Sequence, residues 1–129
     1  MTPANKDDNP ERPAILIGLA HEVAECLYTW ASVGAEEEGI PCRRMSAEDA
    51  DDNDVAALAY TAARNSRLGV GIGIVANRLA VHERHMPAAQ PVLASGLKEE
   101  HAELVCRSAG SNAARLVVGV PLQLDDYGD

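Results

Sequence analysis

In LGVGIGIV, Leu68–Val75, large apolar residues and glycines alternate strictly, and the predicted fold is built around this segment. Successive side chains of a β-strand point to opposite faces, so one face would carry the apolar side chains and the other the glycines. A face without side chains lets a helix or another backbone approach closely. We therefore expect a strand here with a closely packed neighbour on its glycine face.

Segments of strand length lie on both sides of this stretch. Upstream, AILIGL (Ala14–Leu19) is a continuous apolar run, which is typical of a central strand covered on both faces. Downstream, Asn77 and Arg78 predict a tight turn into a strand over Leu79–Glu83, antiparallel to its predecessor because the connection is so short. Further short strands are expected at Pro41–Met45, Val92–Ala94 and Val117–Pro121.

Three segments between these strands carry apolar residues at helical spacing. The first begins at Glu22 and is expected to end at Gly39, a residue suited to a left-handed cap. The second begins at Val55 and ends near Asn65, and the third covers roughly Lys98–Leu116. Strands that alternate with helices predict an α/β fold, a three-layer sandwich around a mostly parallel sheet of about five strands, including one antiparallel hairpin strand.

The length of 129 residues fits a single domain of ordinary size. Residues 1–12 hold two prolines and several charges without an apolar run, so we expect a disordered N-terminal arm there. Residues 13–124 would form the single α/β domain, and residues 125–129 would form an acidic tail.

Acidic residues are concentrated in the first part of the chain. The formal net charge is −9, and residues 1–54 hold thirteen acidic and four basic residues, whereas residues 55–129 hold seven of each. Nucleic acid needs clustered Lys and Arg for its phosphates and aromatic platforms for its bases, and only four aromatic residues are present. No apolar run approaches the roughly 18 residues that span a bilayer, and the N-terminus is unlike a secretion signal. We expect a soluble cytoplasmic protein that binds neither nucleic acid nor membrane, with a solvated acidic face.

The cysteines and histidines form no recognisable catalytic or metal motif. Cys26, Cys42 and Cys106 are odd in number, widely spaced and set among apolar residues, which predicts buried thiols in a reducing cytosol. His82 and His85 would point to opposite faces of a strand, so an exposed polar hairpin is the simpler interpretation. For His21 and His101 the spacing identifies no catalytic triad. The serines lack the sequence context of a nucleophile elbow, so the sequence does not support covalent catalysis: Ser66, Ser95, Ser108 and Ser111.

The glycines of Leu68–Val75 are not expected to bind phosphate, because a phosphate loop needs them at a turn between a strand and a helix. The triplet Glu36–Glu38 is more informative, since carboxylates at the C-terminal end of a helix oppose its dipole. A cation or a basic partner could offset that cost, although a solvated helix end is the simpler alternative. Asn112, on the apolar face of the third helix, is either a satisfied core amide or a contact to a partner.

A resemblance to a known family rests on four segments in a fixed order: EEEGIPC (Glu36–Cys42), LGVGIGI (Leu68–Ile74), HMPAAQPVLASG (His85–Gly96) and GSNAARLVVGVPL (Gly110–Leu122). Together they resemble the small subunit of the diol/glycerol dehydratase reactivase, which is itself similar to the medium subunit of the adenosylcobalamin-dependent dehydratases. The resemblance covers roughly residues 14–122, and Val118 stands where family members often have lysine. The short chain favours the reactivase subunit, because dehydratase medium subunits usually carry a longer N-terminal region.

The resemblance implies an anticodon-binding-domain-like α/β fold and a non-catalytic, chaperone-like role. In this family a large subunit similar to the Hsp70-type ATPases binds and hydrolyses ATP, so ATP or ADP would lie on that partner. The small subunit exchanges places with the dehydratase medium subunit, which lets damaged cobalamin leave. The implied partners are therefore the reactivase large subunit and dehydratase subunits, in the cytoplasm or within a bacterial microcompartment.

The resemblance also implies a role for the acidic triplet. An acidic residue of the family motif corresponds to Glu37 and helps to hold a divalent cation, Mg²⁺ or Ca²⁺, bound mainly by the large subunit, with Glu36 and Glu38 as alternatives. Carboxylate oxygens are the ligands that such hard cations prefer. The chain would hold no cofactor by itself.

Two other interpretations stay open. The chain would instead be a medium-type subunit of a cobalamin-dependent dehydratase, in which the same fold covers the cobalamin. Alternatively, it would be a small metal-dependent enzyme that uses Glu36–Glu38 together with His82 or His85.

Overall fold

The computed structural model describes residues 12–45 and 54–124. The predicted N-terminal arm lies outside the described residues apart from Arg12, and the predicted acidic tail lies outside them entirely. The elements follow in the order β1 (Ile15–Leu19), α1 (Glu25–Glu37), β2 (Cys42–Arg44), α2 (Val55–Asn65), β3 (Val70–Val75), β4 (Arg78–Glu83), β5 (Leu93–Gly96), a 3-10 turn (Glu99–His101) and α3 (Ala102–Val118).

The five strands form one sheet in the order β2-β1-β3-β4-β5. β1 pairs in parallel with both β2 and β3, whereas β4 is antiparallel to β3 and to β5. Four strands therefore run in one direction and only β4 opposes them. This arrangement confirms the predicted α/β fold with a mostly parallel sheet and one antiparallel hairpin strand.

The glycine face of β3 packs directly against α2, as its alternating sequence predicts. A Cβ atom added to Gly71 would lie 2.3 Å from the backbone nitrogen of Ala63, and one added to Gly73 would lie 2.7 Å from that of Ala59. Real Cβ contacts at these distances essentially do not occur, so only glycine admits α2 this close. Asp54 caps the same helix by accepting hydrogen bonds from two backbone N–H groups of its first turn.

The opposite face of the sheet is apolar and is covered by α1 and α3. The isoleucines of β1 and β3 on this face are fully buried and share one core cluster with the small residues of the two helices. Helices on both faces of a central sheet make the three layers that were expected. None of the described helices combines the length and the apolar composition that a membrane-spanning segment needs.

The predicted last strand, Val117–Pro121, is wrong. Val117 and Val118 complete α3, which ends at Gly119 in the left-handed conformation with φ 79°. Residues 119–124 have no regular secondary structure. The run LVVGV has the composition of a strand, but Leu116 and Val117 pack on the core from the helix, and this burial outweighs the β-propensity of valine.

Candidate functional site

The acidic triplet lies at the C-terminal end of α1, where the sequence placed it. Glu37 is the last helical residue, Glu38 is the C-cap, and Gly39 follows in the left-handed conformation with φ 88°. The predicted helix end at Gly39 is therefore confirmed. Because the last carbonyl groups of a helix carry partial negative charge, these carboxylates need positive charge nearby.

The positive charge near Glu37 comes from Arg107 of α3. The Arg107 guanidinium donates from Nη2 to Glu37 Oε2 at 3.1 Å and from Nη1 to Glu103 Oε2 at 3.4 Å. Arg107 thus joins one carboxylate of α1 to one of its own helix. The three side chains are 40% to 56% exposed, so both pairs lie at the surface and are weak.

Glu38 is held more firmly than Glu37. Its Oε2 accepts from Ser111 Oγ at 2.8 Å and from Arg115 Nε at 3.3 Å, and its side chain is only 29% exposed. Arg115 also donates from Nη1 to the Pro121 carbonyl oxygen at 3.2 Å. The cation that the sequence suggested for the triplet is thus partly supplied by the two arginines of α3.

Neither arginine was predicted from the sequence to belong to this site. The available signal was the spacing of Glu103 and Arg107, four residues apart on a predicted helix, which is typical of a surface ion pair. The bonds from α3 to Glu37 and Glu38 join residues 70 to 77 positions apart, so no local pattern could indicate them.

An open groove of about 220 Å³ lies beside Glu37 and is lined by Glu37, Leu104, Arg107, Ser108, Ser111, Asn112 and Gln123. At its base Asn112 is buried, and its amide makes two hydrogen bonds of 2.7 Å to the backbone of Gln123. Asn112 is therefore a satisfied amide, the first of the two predicted alternatives, and it fastens the segment after α3 to that helix.

The described residues hold no group of three His, Cys, Asp or Glu side chains that could bind a metal ion. Glu37, half-exposed at a helix end, could offer carboxylate oxygen to a cation, but Mg²⁺ and Ca²⁺ need about six or more ligands. The single carboxylate of Glu37 therefore suits a cation site whose other ligands come from a second molecule.

The prediction of an exposed polar hairpin at His82 is wrong, because the His82 side chain is fully buried. Its Nδ1 accepts from the Glu83 backbone N–H at 2.9 Å, its Nε2 lies 3.1 Å from the Ala88 carbonyl oxygen, and its ring lies 5.0 Å from that of Tyr60. β4 lies inside the sheet under α2, which encloses this side chain. His85 is exposed and contacts Glu83; burial raises the pKa of Glu83, but the hydrogen bonds of His85 outweigh burial and hold that pKa below its ordinary value.

The cysteine prediction is confirmed for two residues and wrong for one. Cys42 and Cys106 are buried, whereas Cys26, in the first turn of α1, is exposed, and none of the three forms a disulfide. Burial raises the pKa of the Cys106 thiol to about 12, with a further contribution from the nearby Cys26.

The fold and the site together define a small α/β domain with an exposed, internally paired charged surface at one helix end. Residues 12–123 match the family model described as dehydratase medium subunit. The chain is 38% identical over 120 residues to a propanediol dehydratase-reactivating factor small subunit of Citrobacter freundii, covering 91% of this chain and 96% of that protein. The chain therefore belongs to the dehydratase medium subunit family, among the small subunits of diol/glycerol dehydratase-reactivating factors.

Solved structures agree with this assignment. A glycerol dehydratase reactivase matches with a TM-score of 0.77 at 29% identity, covering 88% of this chain and 98% of that one. A diol dehydratase-reactivating factor complexed with ADP and Mg²⁺ matches with a TM-score of 0.73 at 34% identity, covering 88% of this chain and 99% of that one.

Proposed function

We propose that this chain is the non-catalytic small subunit of a chaperone-like diol/glycerol dehydratase-reactivating factor. It binds an ATPase large subunit and promotes the release of damaged cobalamin by subunit exchange. The observation that carries the proposal is the similarity to reactivating-factor small subunits over 91% of the chain. The half-exposed carboxylate of Glu37 beside an open groove supports a role exercised through a partner.

The nucleotide belongs to the large subunit in this proposal. The solved reactivating factor that resembles this chain is complexed with ADP and Mg²⁺. In this chain the glycines of β3, which superficially resemble a phosphate loop, are covered by the backbone of α2. Their amides belong to the sheet rather than to a turn before a helix, so this segment is unsuited to phosphate.

Glu37 contributes one carboxylate to a divalent cation, Mg²⁺ or Ca²⁺, that the large subunit holds mainly. Among the triplet, Glu37 is better suited than Glu38, which is less exposed and bonded to both a serine and an arginine. Glu37 has a single bond across the helix interface, to Arg107, so it needs to give up less to accept a new ligand.

Subunit exchange follows from shared architecture. The chain belongs to a family named for the dehydratase medium subunit, so the two proteins present similar frameworks to one docking surface and exclude each other sterically. ATP or ADP on the large subunit needs only to change the relative affinity for the two competitors. A difference of about 1.4 kcal/mol shifts their ratio tenfold.

Co-expression with a cognate large subunit, followed by size-exclusion chromatography with and without Mg²⁺, tests the proposal. We expect a stable complex that Glu37→Gln weakens without changing the melting temperature of the isolated chain, because the side chain is half-exposed. Glu99→Gln is the control for loss of an exposed carboxylate that is not bonded to Arg107. Absence of any complex with cognate large subunits contradicts the proposal.

A further inference from the structure

Arg107 lies where it competes with the proposed cation for the Glu37 carboxylate. It is bonded to the carboxylate that is proposed to bind the partner's cation and, through its other terminal nitrogen, to Glu103. Arginine and a divalent cation compete for the same carboxylate oxygen. Glu37 can enter a cation site only when Arg107 gives up that oxygen.

Glu103 gives the guanidinium of Arg107 an alternative carboxylate to bind. Glu103 lies four residues earlier on the same helix, so this pair is internal to α3 and survives any change at α1. Since Arg107 Nη1 already lies 3.4 Å from Glu103 Oε2, a small side-chain rotation exchanges one carboxylate for the other. The guanidinium charge remains paired throughout.

The backbone beneath Arg107 cannot share in this motion. A Cβ atom added to Gly34 of α1 would lie 2.0 Å from the Arg107 carbonyl oxygen, so the two helices are in backbone contact at this residue. The contact fixes where the side chain starts and restricts rearrangement to the guanidinium arm. Glu38 has no equivalent freedom, because Arg115 is tied at the same time to the Pro121 carbonyl.

We propose that Arg107 is a positioning residue that competes with the cation for Glu37. It binds the Glu37 carboxylate in the free chain, and it binds Glu103 alone when that carboxylate coordinates a cation on the large subunit. This inference rests on the proposed function of Glu37 as a ligand in trans. Arg107 therefore raises the cation concentration at which the complex forms, and Glu103 lowers it by accepting the displaced guanidinium.

The experiment measures complex formation between this chain and the cognate large subunit as a function of Mg²⁺ concentration. Exposed ion pairs of this kind change an equilibrium about 1.4- to fivefold. Arg107→Gln should lower the Mg²⁺ concentration for half-maximal association by about that factor, and Glu103→Gln should raise it. The double variant should match Arg107→Gln, because Glu103 acts only through the arginine.

Arg64→Gln is the matched control, because it removes the same charge from α2 on the other side of the sheet. It should leave the Mg²⁺ dependence within error of the unmodified chain. Thermal melting of each isolated variant confirms that the comparison is made between folded proteins.

The outcomes separate this inference from the function on which it rests. Suppose that association needs both Mg²⁺ and Glu37, but Arg107→Gln leaves the Mg²⁺ concentration for half-maximal association unchanged or raises it. The proposed competition by Arg107 is then overturned, while the proposed function stands. Weaker association of Arg107→Gln at every Mg²⁺ concentration would instead make Arg107 a direct contact to the partner, which also overturns the role. If association is independent of Glu37, the proposed cation ligand fails and this inference fails with it.

Discussion

Replacing Gly110 with alanine tests the packing that brings Arg107 and Glu37 together. A Cβ atom at this position would lie 1.9 Å from the carbonyl oxygen of Ala31 and 2.9 Å from the backbone nitrogen of Ala35. Both obstacles are backbone atoms of α1, so no side-chain rotation relieves the clash. Ordinary contact begins at 3.4 Å, so α1 and α3 must separate by more than an ångström.

The expected loss of stability follows from two opposing terms. Alanine is better than glycine in a helix interior by about 1 kcal/mol. Overpacking a well-filled core costs typically 1–3 kcal/mol and occasionally more, and a rigid backbone obstacle belongs at the upper end. We expect a net destabilisation of about 2 kcal/mol, which lowers the melting temperature of a domain of this size by about 6–10 °C.

Urea and thermal unfolding of Gly110→Ala measure this loss, with Gly119→Ala as the control. An added Cβ at Gly119 meets nothing within 4 Å, but its φ of 79° makes alanine unfavourable by about 1 kcal/mol. Gly110→Ala should therefore be the more destabilised variant. A Gly110→Ala protein as stable as the unmodified chain, or more stable than Gly119→Ala, would refute the close helix contact.

Two further predictions concern buried groups. At pH 8 a thiol reagent should modify Cys26 rapidly and leave Cys106 intact until the chain is denatured, because burial raises the pKa of Cys106 to about 12. Mass spectrometry locates the modified cysteine. Rapid labelling of Cys106 in the native chain would contradict its burial. Asn112→Ala should lower the free energy of unfolding by about 1–3 kcal/mol and speed hydrogen exchange at Gln123, whose backbone loses both 2.7 Å bonds. Unchanged exchange at Gln123 would show that the Asn112 amide does not hold the segment after α3.

Much of the fold could be predicted because it depends on local patterns. The glycine alternation of Leu68–Val75 indicated both a strand and the close approach of a helix, and α2 lies there. Gly39 marked the end of α1 because left-handed backbone favours glycine. The short connection at Asn77 indicated the antiparallel hairpin of β3 and β4.

The failures share a physical cause, which is that burial depends on neighbours distant in sequence. His82 reads as a polar hairpin residue, but it lies in an inner strand under α2. Val117 reads as a strand residue, but it packs on the core from α3. Cys26 reads as buried, but it lies on an exposed part of α1.

Local sequence patterns indicated most of the helices and strands, the bare face of β3 and the position of the acidic triplet at a helix end, because periodicity, caps and turns act over a few residues. The pairing of Glu37 with Arg107 and of Glu38 with Arg115 depends instead on tertiary packing. These pairs depend on the crossing of α1 and α3, which is set where Gly34 and Gly110 let two backbones touch. A contact between helices some 70 residues apart leaves no trace in the local pattern of either one.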